Sequence, residues 1–153
     1  LPMRMEKQRA AGVLILNDAY NSNPVSAASS LETLGALKAR RRIAVLGDML
    51  ELGKDWRELH RELGERAAGL TINWLFTVGR GGEEIAEGAR RKGKREVRAF
   101  ADNEECVRFL AGFAEPGDVY LVKGSRGMHM EEIVSGVLRF LKSSERKKGS
   151  SAL

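Results

Sequence analysis

The chain has 153 residues, 42% of them hydrophobic and 31% charged, a composition typical of one globular domain with a single sizeable core. Its formal net charge is +5, but the Lys and Arg residues are scattered among many Glu residues, which argues against a nucleic-acid-binding protein. Cys106 is the only cysteine, so an internal disulfide and a cysteine-rich metal site are excluded and a reducing, cytoplasmic setting is favoured. No apolar run is long enough to cross a membrane.

Short apolar runs predict an edge strand over residues 3–8 and five buried strands at 13–16, 43–46, 74–78, 96–100 and 119–122. Apolar residues at helical spacing predict helices between them, at 26–37, 56–70, 83–91, from 102 onward and at 130–141. This alternation predicts an α/β fold with a mostly parallel sheet and helices on both faces.

The predicted domain spans residues 1–141, and residues 142–153 are predicted to be a disordered basic tail. The first residues, Leu1-Pro2-Met3-Arg4, resemble neither a natural start nor a signal peptide. We therefore expect a segment of a longer protein or a processed chain.

Three polar loops follow predicted strands and should meet at the carboxyl edge of the sheet, where ligands bind in open α/β folds. They are centred on Asp18, Asp48 and Lys123. The first loop leads into a helix at Pro24, and Asn23 can cap the free amides of the first turn. Such a helix N-terminus attracts anions.

The charges in these loops suit binding more than bond breaking. Lys123 and Arg126 can hold a carboxylate or a phosphate, and Asp48 and Glu51 can hold an ammonium group. A zwitterion such as an amino acid or a dipeptide needs both signs of charge. The alternative is that these residues pair with one another as structural ion pairs.

Other chemistries find no support in the sequence. No phosphate-binding P-loop is present, and the Gly79–Gly82 turn lacks the third glycine of a dinucleotide fingerprint. His60 and His129 stand outside any zinc-binding pattern, and a hydrogen-bonded, partly buried role is expected for His60. Ser125 lacks the context of a hydrolase nucleophile.

Three motifs, in this order, resemble the C-terminal domain of the Mur ligases, and most closely that of the members that add D-Ala-D-Ala. They are Asp18-Ala19-Tyr20-Asn21-Ser22-Asn23-Pro24, then Val45-Leu46-Gly47-Asp48-Met49-Leu50-Glu51-Leu52-Gly53 with His60, then Val122-Lys123-Gly124-Ser125-Arg126 with Met130-Glu131. The resemblance covers residues 4–141. Two positions depart from the pattern: Asn17, where the family often has Asp, and Ser22, where Ala is usual.

The resemblance implies a three-domain cytoplasmic ligase of peptidoglycan synthesis, and hence of cell-wall growth, cell shape and cell division. Its substrates would be UDP-MurNAc-tripeptide, D-Ala-D-Ala and ATP, and its central domain would bind most of the ATP and Mg²⁺. This C-terminal, Rossmann-like domain would position the dipeptide and close over ATP against the N-terminal and central domains. It would hold no catalytic residue and no metal.

The resemblance also implies ligands for individual residues. ATP would contact Asp18, Tyr20, Asn21 and Asn23. D-Ala-D-Ala would contact Asp48, Met49, Glu51, Leu52, Lys123, Ser125 and Arg126.

Two other functions stay open from the residues alone. One is a free-standing, non-catalytic module that binds a small zwitterionic or anionic metabolite. The other is a nucleic-acid accessory domain, which rests only on the net charge and the basic tail.

Overall fold

A computed structural model describes residues 1–151 of the chain, with side chains through residue 149. In chain order the strands and helices are β1 (Glu6–Ala10), β2 (Val13–Asp18), α1 (Pro24–Ala36), β3 (Arg41–Leu46), α2 (Trp56–Ala68), β4 (Trp74–Val78), α3 (Arg80–Arg91), β5 (Val97–Phe100), α4 (Asn103–Phe113), β6 (Asp118–Lys123) and α5 (Glu131–Ser151). Short 3₁₀ turns precede α2 and α5, at Gly53–Asp55 and Arg126–Met128.

The six strands form one sheet in the order β1-β2-β6-β3-β4-β5. Only β1 runs antiparallel to its neighbour, and the remaining pairs are parallel. The predicted α/β fold with a mostly parallel sheet is therefore confirmed. Because β6 lies between β2 and β3, the loops that follow these three strands lie side by side at one edge of the sheet.

Helices cover both faces of the sheet, as predicted. On one face α1, α2 and α3 pack through residues that include Leu31, Leu63 and Ile85. On the other face α4 and α5 pack through residues that include Leu110 and Ile133. The buried apolar residues of the strands therefore divide between two apolar cores, which hold the loops at the sheet edge in place.

The first strand lies slightly later in the chain than the predicted span of 3–8. β1 and β2 form a hairpin whose two turn residues, Ala11 and Gly12, have φ angles of 51° and 76°. Positive φ at both positions is the geometry that a two-residue hairpin turn requires. The hairpin brings the preceding residues against β2, and the Met5 amide donates to Asp18 Oδ1 at 3.1 Å.

The C-terminal segment differs from the disordered tail predicted from residue 142. The structure continues α5 through Ser151, and residues 152 and 153 of the predicted tail lie outside the described residues. The segment is rich in Lys, Arg and Glu, which favour helix when a helix already precedes them. In addition, the Glu145 carboxylate accepts a hydrogen bond from the Ala11 amide in the hairpin turn.

Candidate functional site

The three predicted loops do meet at the carboxyl edge of the sheet. The amide of Gly47 donates to the carbonyl of Lys123 at 2.8 Å, and the amide of Ser125 donates to the carbonyl of Asp48 at 2.9 Å. The Ser125 hydroxyl completes the contact, because it accepts from the Leu50 amide at 2.7 Å and donates to the Ser22 carbonyl at 3.3 Å. One buried hydroxyl thus ties the loop after β2 to the loop after β3.

A cleft of about 380 Å³ opens between the β2–α1 loop and the segment before β1, and we call it the Asp18 cleft. It contains all four residues for which the resemblance implies contact with ATP. Its lining residues are Arg4, Met5, Asp18, Tyr20, Asn21, Asn23, Ser26, Ser29, Ser30 and Lys123.

Asp18 and Lys123 form a buried ion pair at the base of this cleft. Lys123 Nζ lies 2.9 Å from Asp18 Oδ2, and it also donates to the Asn21 carbonyl at 2.9 Å. The Ser30 hydroxyl donates to the same carboxylate oxygen at 2.7 Å. The alternative that these residues form structural ion pairs thus holds for Lys123. Its partner, however, is Asp18 and not Asp48 or Glu51.

Asn23 caps α1 in the way that its position before Pro24 predicts. Its side-chain oxygen accepts from the Ser26 amide at 2.9 Å, and the Ser26 hydroxyl accepts from the Asn23 amide at 3.1 Å. This reciprocal arrangement satisfies two amide donors and orders the rim of the Asp18 cleft.

Two arginines, Arg4 and Arg126, lie over the exposed ring of Tyr20, and of the two only Arg4 lines the Asp18 cleft. The Arg4 guanidinium carbon is 4.2 Å from the ring centroid and that of Arg126 is 5.6 Å away. Neither arginine has an ion-pair partner among the described residues. Sequence reasoning missed Arg4, because the segment before β1 carries no motif and reaches the cleft only through the β1–β2 hairpin.

A second cleft, of about 350 Å³, lies beside the loop between β3 and α2, and we call it the Asp48 cleft. Four of the seven residues implied for D-Ala-D-Ala line it, namely Asp48, Met49, Glu51 and Leu52. The other lining residues are Leu50, Gly53, Trp56, His60, Arg80 and Gly81. The remaining three implied residues are elsewhere: Lys123 lines the Asp18 cleft, Ser125 is buried between loops, and Arg126 lies against Tyr20.

Asp48 stabilises the first turn of α3. Its Oδ1 accepts from the Gly82 amide at 2.9 Å, so a carboxylate sits at the positive end of the helix. The backbone of Gly79 has φ 96°, and a Cβ there would lie 2.5 Å from Asp48 Oδ1. The glycine-rich turn after β4 therefore accommodates Asp48, as its interpretation as a glycine-permitted turn predicts.

His60 is 1% exposed and therefore more deeply buried than the partly buried residue that the sequence predicts. Its Nε2 accepts from the Met49 amide at 2.9 Å, and its Nδ1 is paired with the Trp56 carbonyl. A carbonyl only accepts, so the proton is on Nδ1 and the ring is neutral. The absence of a side chain at Gly81 makes room for the ring, since a Cβ there would lie 2.3 Å from Nε2. His60 thus holds the loop that lines the Asp48 cleft.

Two further observations bear on the kinds of site present. Within residues 1–151, no group of three or more His, Cys, Asp or Glu side chains is arranged to hold a metal ion. In that same part of the chain, no helix is both long and apolar enough to cross a membrane.

A mostly parallel sheet with clefts over the carboxyl ends of its strands defines a Rossmann-like binding domain. The family model described as "Mur ligase, glutamate ligase domain" matches residues 3–126. The chain therefore belongs to the Mur ligase family.

Several relatives and solved structures that are similar to this chain carry the name of one branch of this family. The UDP-N-acetylmuramoyl-tripeptide–D-alanyl-D-alanine ligase of Bacillus subtilis is 35% identical over 139 residues, which cover 89% of this chain and 30% of the relative. The enzyme of that name from Mycobacterium tuberculosis is 31% identical over 150 residues, 85% of this chain and 29% of the relative.

Among solved structures, the MurF ligase from Thermotoga maritima in complex with ADP superposes with a TM-score of 0.80 at 29% identity, covering 94% of this chain and 32% of that one. MurF from Acinetobacter baumannii gives a TM-score of 0.80 at 28% identity, covering 89% of this chain and 30% of that one. The chain thus spans about 30% of the length of the relatives that it matches.

Proposed function

We propose that this chain is the C-terminal domain of an ATP-dependent ligase that adds D-Ala-D-Ala to UDP-MurNAc-tripeptide in the cytoplasm. In this reaction ATP phosphorylates the tripeptide carboxylate, the dipeptide amine attacks the acyl phosphate, and an amide, ADP and phosphate result. The observation that carries the proposal is the presence of two clefts of different chemistry, bridged by the Ser125 hydroxyl at one sheet edge.

The Asp18 cleft has the features of a nucleotide site. Arg4 and Arg126 offer two guanidinium groups without carboxylate partners beside the Tyr20 ring, and guanidinium groups bind phosphate well. Asn21 and Asn23 add polar groups at the start of α1, whose N-terminus favours anions. We assign the contacts with ATP to Asp18, Tyr20, Asn21 and Asn23, as the resemblance implies, and add Arg4.

Asp18 and Lys123 would act in this cleft mainly by positioning. Three donors already approach the Asp18 carboxylate, from Met5, Ser30 and Lys123. This arrangement fixes the carboxylate before a ligand arrives, so little ordering is needed on binding.

The Asp48 cleft would receive the dipeptide. Glu51 is exposed and can attract the ammonium end of D-Ala-D-Ala, while Leu52 offers an apolar wall for a methyl group. Asp48 and the buried Met49 would contribute mainly by holding the loop, through the Gly82 amide and His60 respectively. Ser125 would couple this loop to the nucleotide loop.

The contribution of the domain to catalysis would be orientation and the exclusion of water. An acyl phosphate is readily hydrolysed, so closing the domain over it protects the intermediate while the amine is brought into line. When bound, ATP supplies the phosphoryl group and Mg²⁺ offsets the charge on its phosphates. The resemblance assigns most of the ATP and Mg²⁺ ligands to the central domain, outside this chain.

The test is to express the complete open reading frame that encodes this chain and to supply ATP, Mg²⁺, UDP-MurNAc-tripeptide and D-Ala-D-Ala. We expect UDP-MurNAc-pentapeptide, detected by mass spectrometry, together with one phosphate per product. L-Ala-L-Ala serves as the stereochemical control and should give little product. The 153-residue chain alone should show no turnover. Failure of the complete protein to form the amide would refute the proposal and favour the metabolite-binding module.

A further inference from the structure

In the Asp48 cleft, one acidic and one basic side chain have neither an ion-pair partner nor a hydrogen bond among the described residues, whereas Asp48 accepts from the Gly82 amide. They are Glu51, in the loop after β3, and Arg80, in the first turn of α3. Both residues are exposed. The cleft therefore presents one unengaged charge of each sign to a ligand, which is the pattern that a zwitterion requires.

Trp56 holds the Arg80 side chain in the cleft. The guanidinium carbon of Arg80 lies 4.9 Å from the centroid of the Trp56 ring, within the range of a cation–π contact. This contact restricts the long side chain without using its hydrogen-bond donors. The guanidinium therefore remains able to bind a carboxylate with two parallel hydrogen bonds.

Neither of the cations first considered for a carboxylate lines this cleft. Lys123 is bonded to Asp18 and to the Asn21 carbonyl in the other cleft. Arg126 lies against Tyr20 and donates to the sulfur of Met3. The start of α3 is no substitute, because the Asp48 carboxylate already accepts from its Gly82 amide.

We propose that Arg80 binds the C-terminal carboxylate of the incoming dipeptide, with its amine end directed toward Glu51. This inference rests on the proposed ligase function and adds to it the residue that recognises the free carboxylate. Arg80 comes from the glycine-rich turn, where Gly79 and Gly81 leave space for Asp48 and His60. The glycine-rich turn makes room for Asp48 and His60, and it also places the Arg80 guanidinium in the cleft beside the loop after β3.

Arg57 provides a matched control. Its guanidinium carbon lies 5.0 Å from the same Trp56 ring, but it pairs with Glu84 at 3.5 Å and does not line the cleft. Replacing either arginine removes one cation–π contact with Trp56. Only replacement of Arg80 removes a charge from the cleft.

The experiment uses the complete protein and compares four variants with the parent: Arg80→Gln, Arg80→Lys, Arg57→Gln and Arg126→Gln. The substrates are D-Ala-D-Ala and its C-terminal amide, which keeps the amine but lacks the carboxylate. We expect Arg80→Gln to raise the KM for D-Ala-D-Ala by about 10- to 100-fold, as the loss of a charge-assisted hydrogen bond predicts. The KM of Arg80→Gln for the C-terminal amide should equal that of the parent. The KM of Arg80→Lys for D-Ala-D-Ala should lie between those of the parent and Arg80→Gln.

Each other outcome has a definite meaning. An unchanged KM in Arg80→Gln, an equal rise for the amide, or an equal rise in Arg57→Gln would overturn the assignment of Arg80 while leaving the ligase function intact. If the KM for D-Ala-D-Ala rises selectively in Arg126→Gln and not in Arg80→Gln, the dipeptide carboxylate binds Arg126. That result would also overturn the assignment of Arg80. A parent protein that does not join D-Ala-D-Ala would overturn the ligase function and this inference together.

Discussion

Lys123 and Asp18 are direct neighbours across the parallel pair β2–β6, and their side chains form an ion pair of 2.9 Å. Only 4% of the Lys123 side chain and 11% of the Asp18 side chain is exposed. The resemblance implied different ligands for these two residues, the dipeptide for Lys123 and ATP for Asp18. Because they pair, Asp18 supports the loop after β6 and Lys123 supports the loop after β2.

Replacement of Lys123 by Met should destabilise the chain by about 3–5 kcal/mol, because it leaves the buried Asp18 carboxylate without its counter-charge. Urea unfolding measures the change in free energy. Arg66→Met is the control, since Arg66 pairs with Glu32 at 3.1 Å on the surface, where both side chains are more than half exposed. That variant should lose no more than about 1 kcal/mol. Equal losses in the two variants would contradict a buried, structural pair.

Replacement of Gly81 by Ala should destabilise the chain by about 1–3 kcal/mol, as overpacking does in enclosed sites. The new Cβ would lie 2.3 Å from His60 Nε2, and this ring is held by the Met49 amide and the Trp56 carbonyl. Gly112→Ala is the matched control, because a Cβ at Gly112 of α4 meets nothing within 4 Å. It should be neutral or stabilise by up to about 1 kcal/mol. Thermal or urea unfolding of both variants tests the difference in sign.

Replacement of Asn23 separates its capping role from its proposed contact with ATP. Asn23→Ala should cost about 1 kcal/mol of stability without any nucleotide, because it removes the hydrogen bond to the Ser26 amide. Asn23→Asp should keep the stability, because Asp is an equally good cap. It should nevertheless raise the KM for ATP in the complete protein, since it adds a negative charge beside phosphates. An Asp variant with the KM of the parent would remove Asn23 from the ATP contacts.

Cys106 should make the stability of the chain fall as the pH rises above about 9. Burial raises the pKa of this thiol from 9.0 to about 12, with a smaller contribution from Glu105. Between these values the folded chain keeps the proton and the unfolded chain releases it, so the stabilisation present below pH 9 is lost progressively. The limiting slope is about 1.4 kcal/mol per pH unit.

The measurement is the difference in unfolding free energy between the parent and Cys106→Ala at pH 7 to 10. The difference should be constant below the titration of the unfolded thiol and should shrink above it. Because both proteins contain the other groups that titrate in this range, their contributions to the unfolding free energy cancel in the difference. One such group is Lys94, because burial lowers its pKa. A constant difference at every pH would show that the thiol titrates alike in the folded and unfolded chains.

Much of the architecture follows from local sequence. Runs such as Ile43 to Leu46 predict buried strands, apolar spacing predicts the helices, and Asn23-Pro24 predicts the start of α1. These signals are read correctly because strand and helix periodicity and capping depend on neighbouring residues. The C-terminal turns of α5 were missed, because a polar segment gives no periodic apolar signal although a preceding helix can extend through it.

The sequence by itself thus determined the alternation of strands and helices, the three loops at one edge and the family resemblance. Only the tertiary structure decided which loop residues face each other, because strand order depends on contacts between residues far apart in the chain. The insertion of β6 between β2 and β3 brings Lys123 to Asp18, across 105 positions of sequence. The adjacency of β3 and β4 brings Arg80 and Glu51 to the lining of one cleft, the Asp48 cleft, and no local sequence pattern records this relationship.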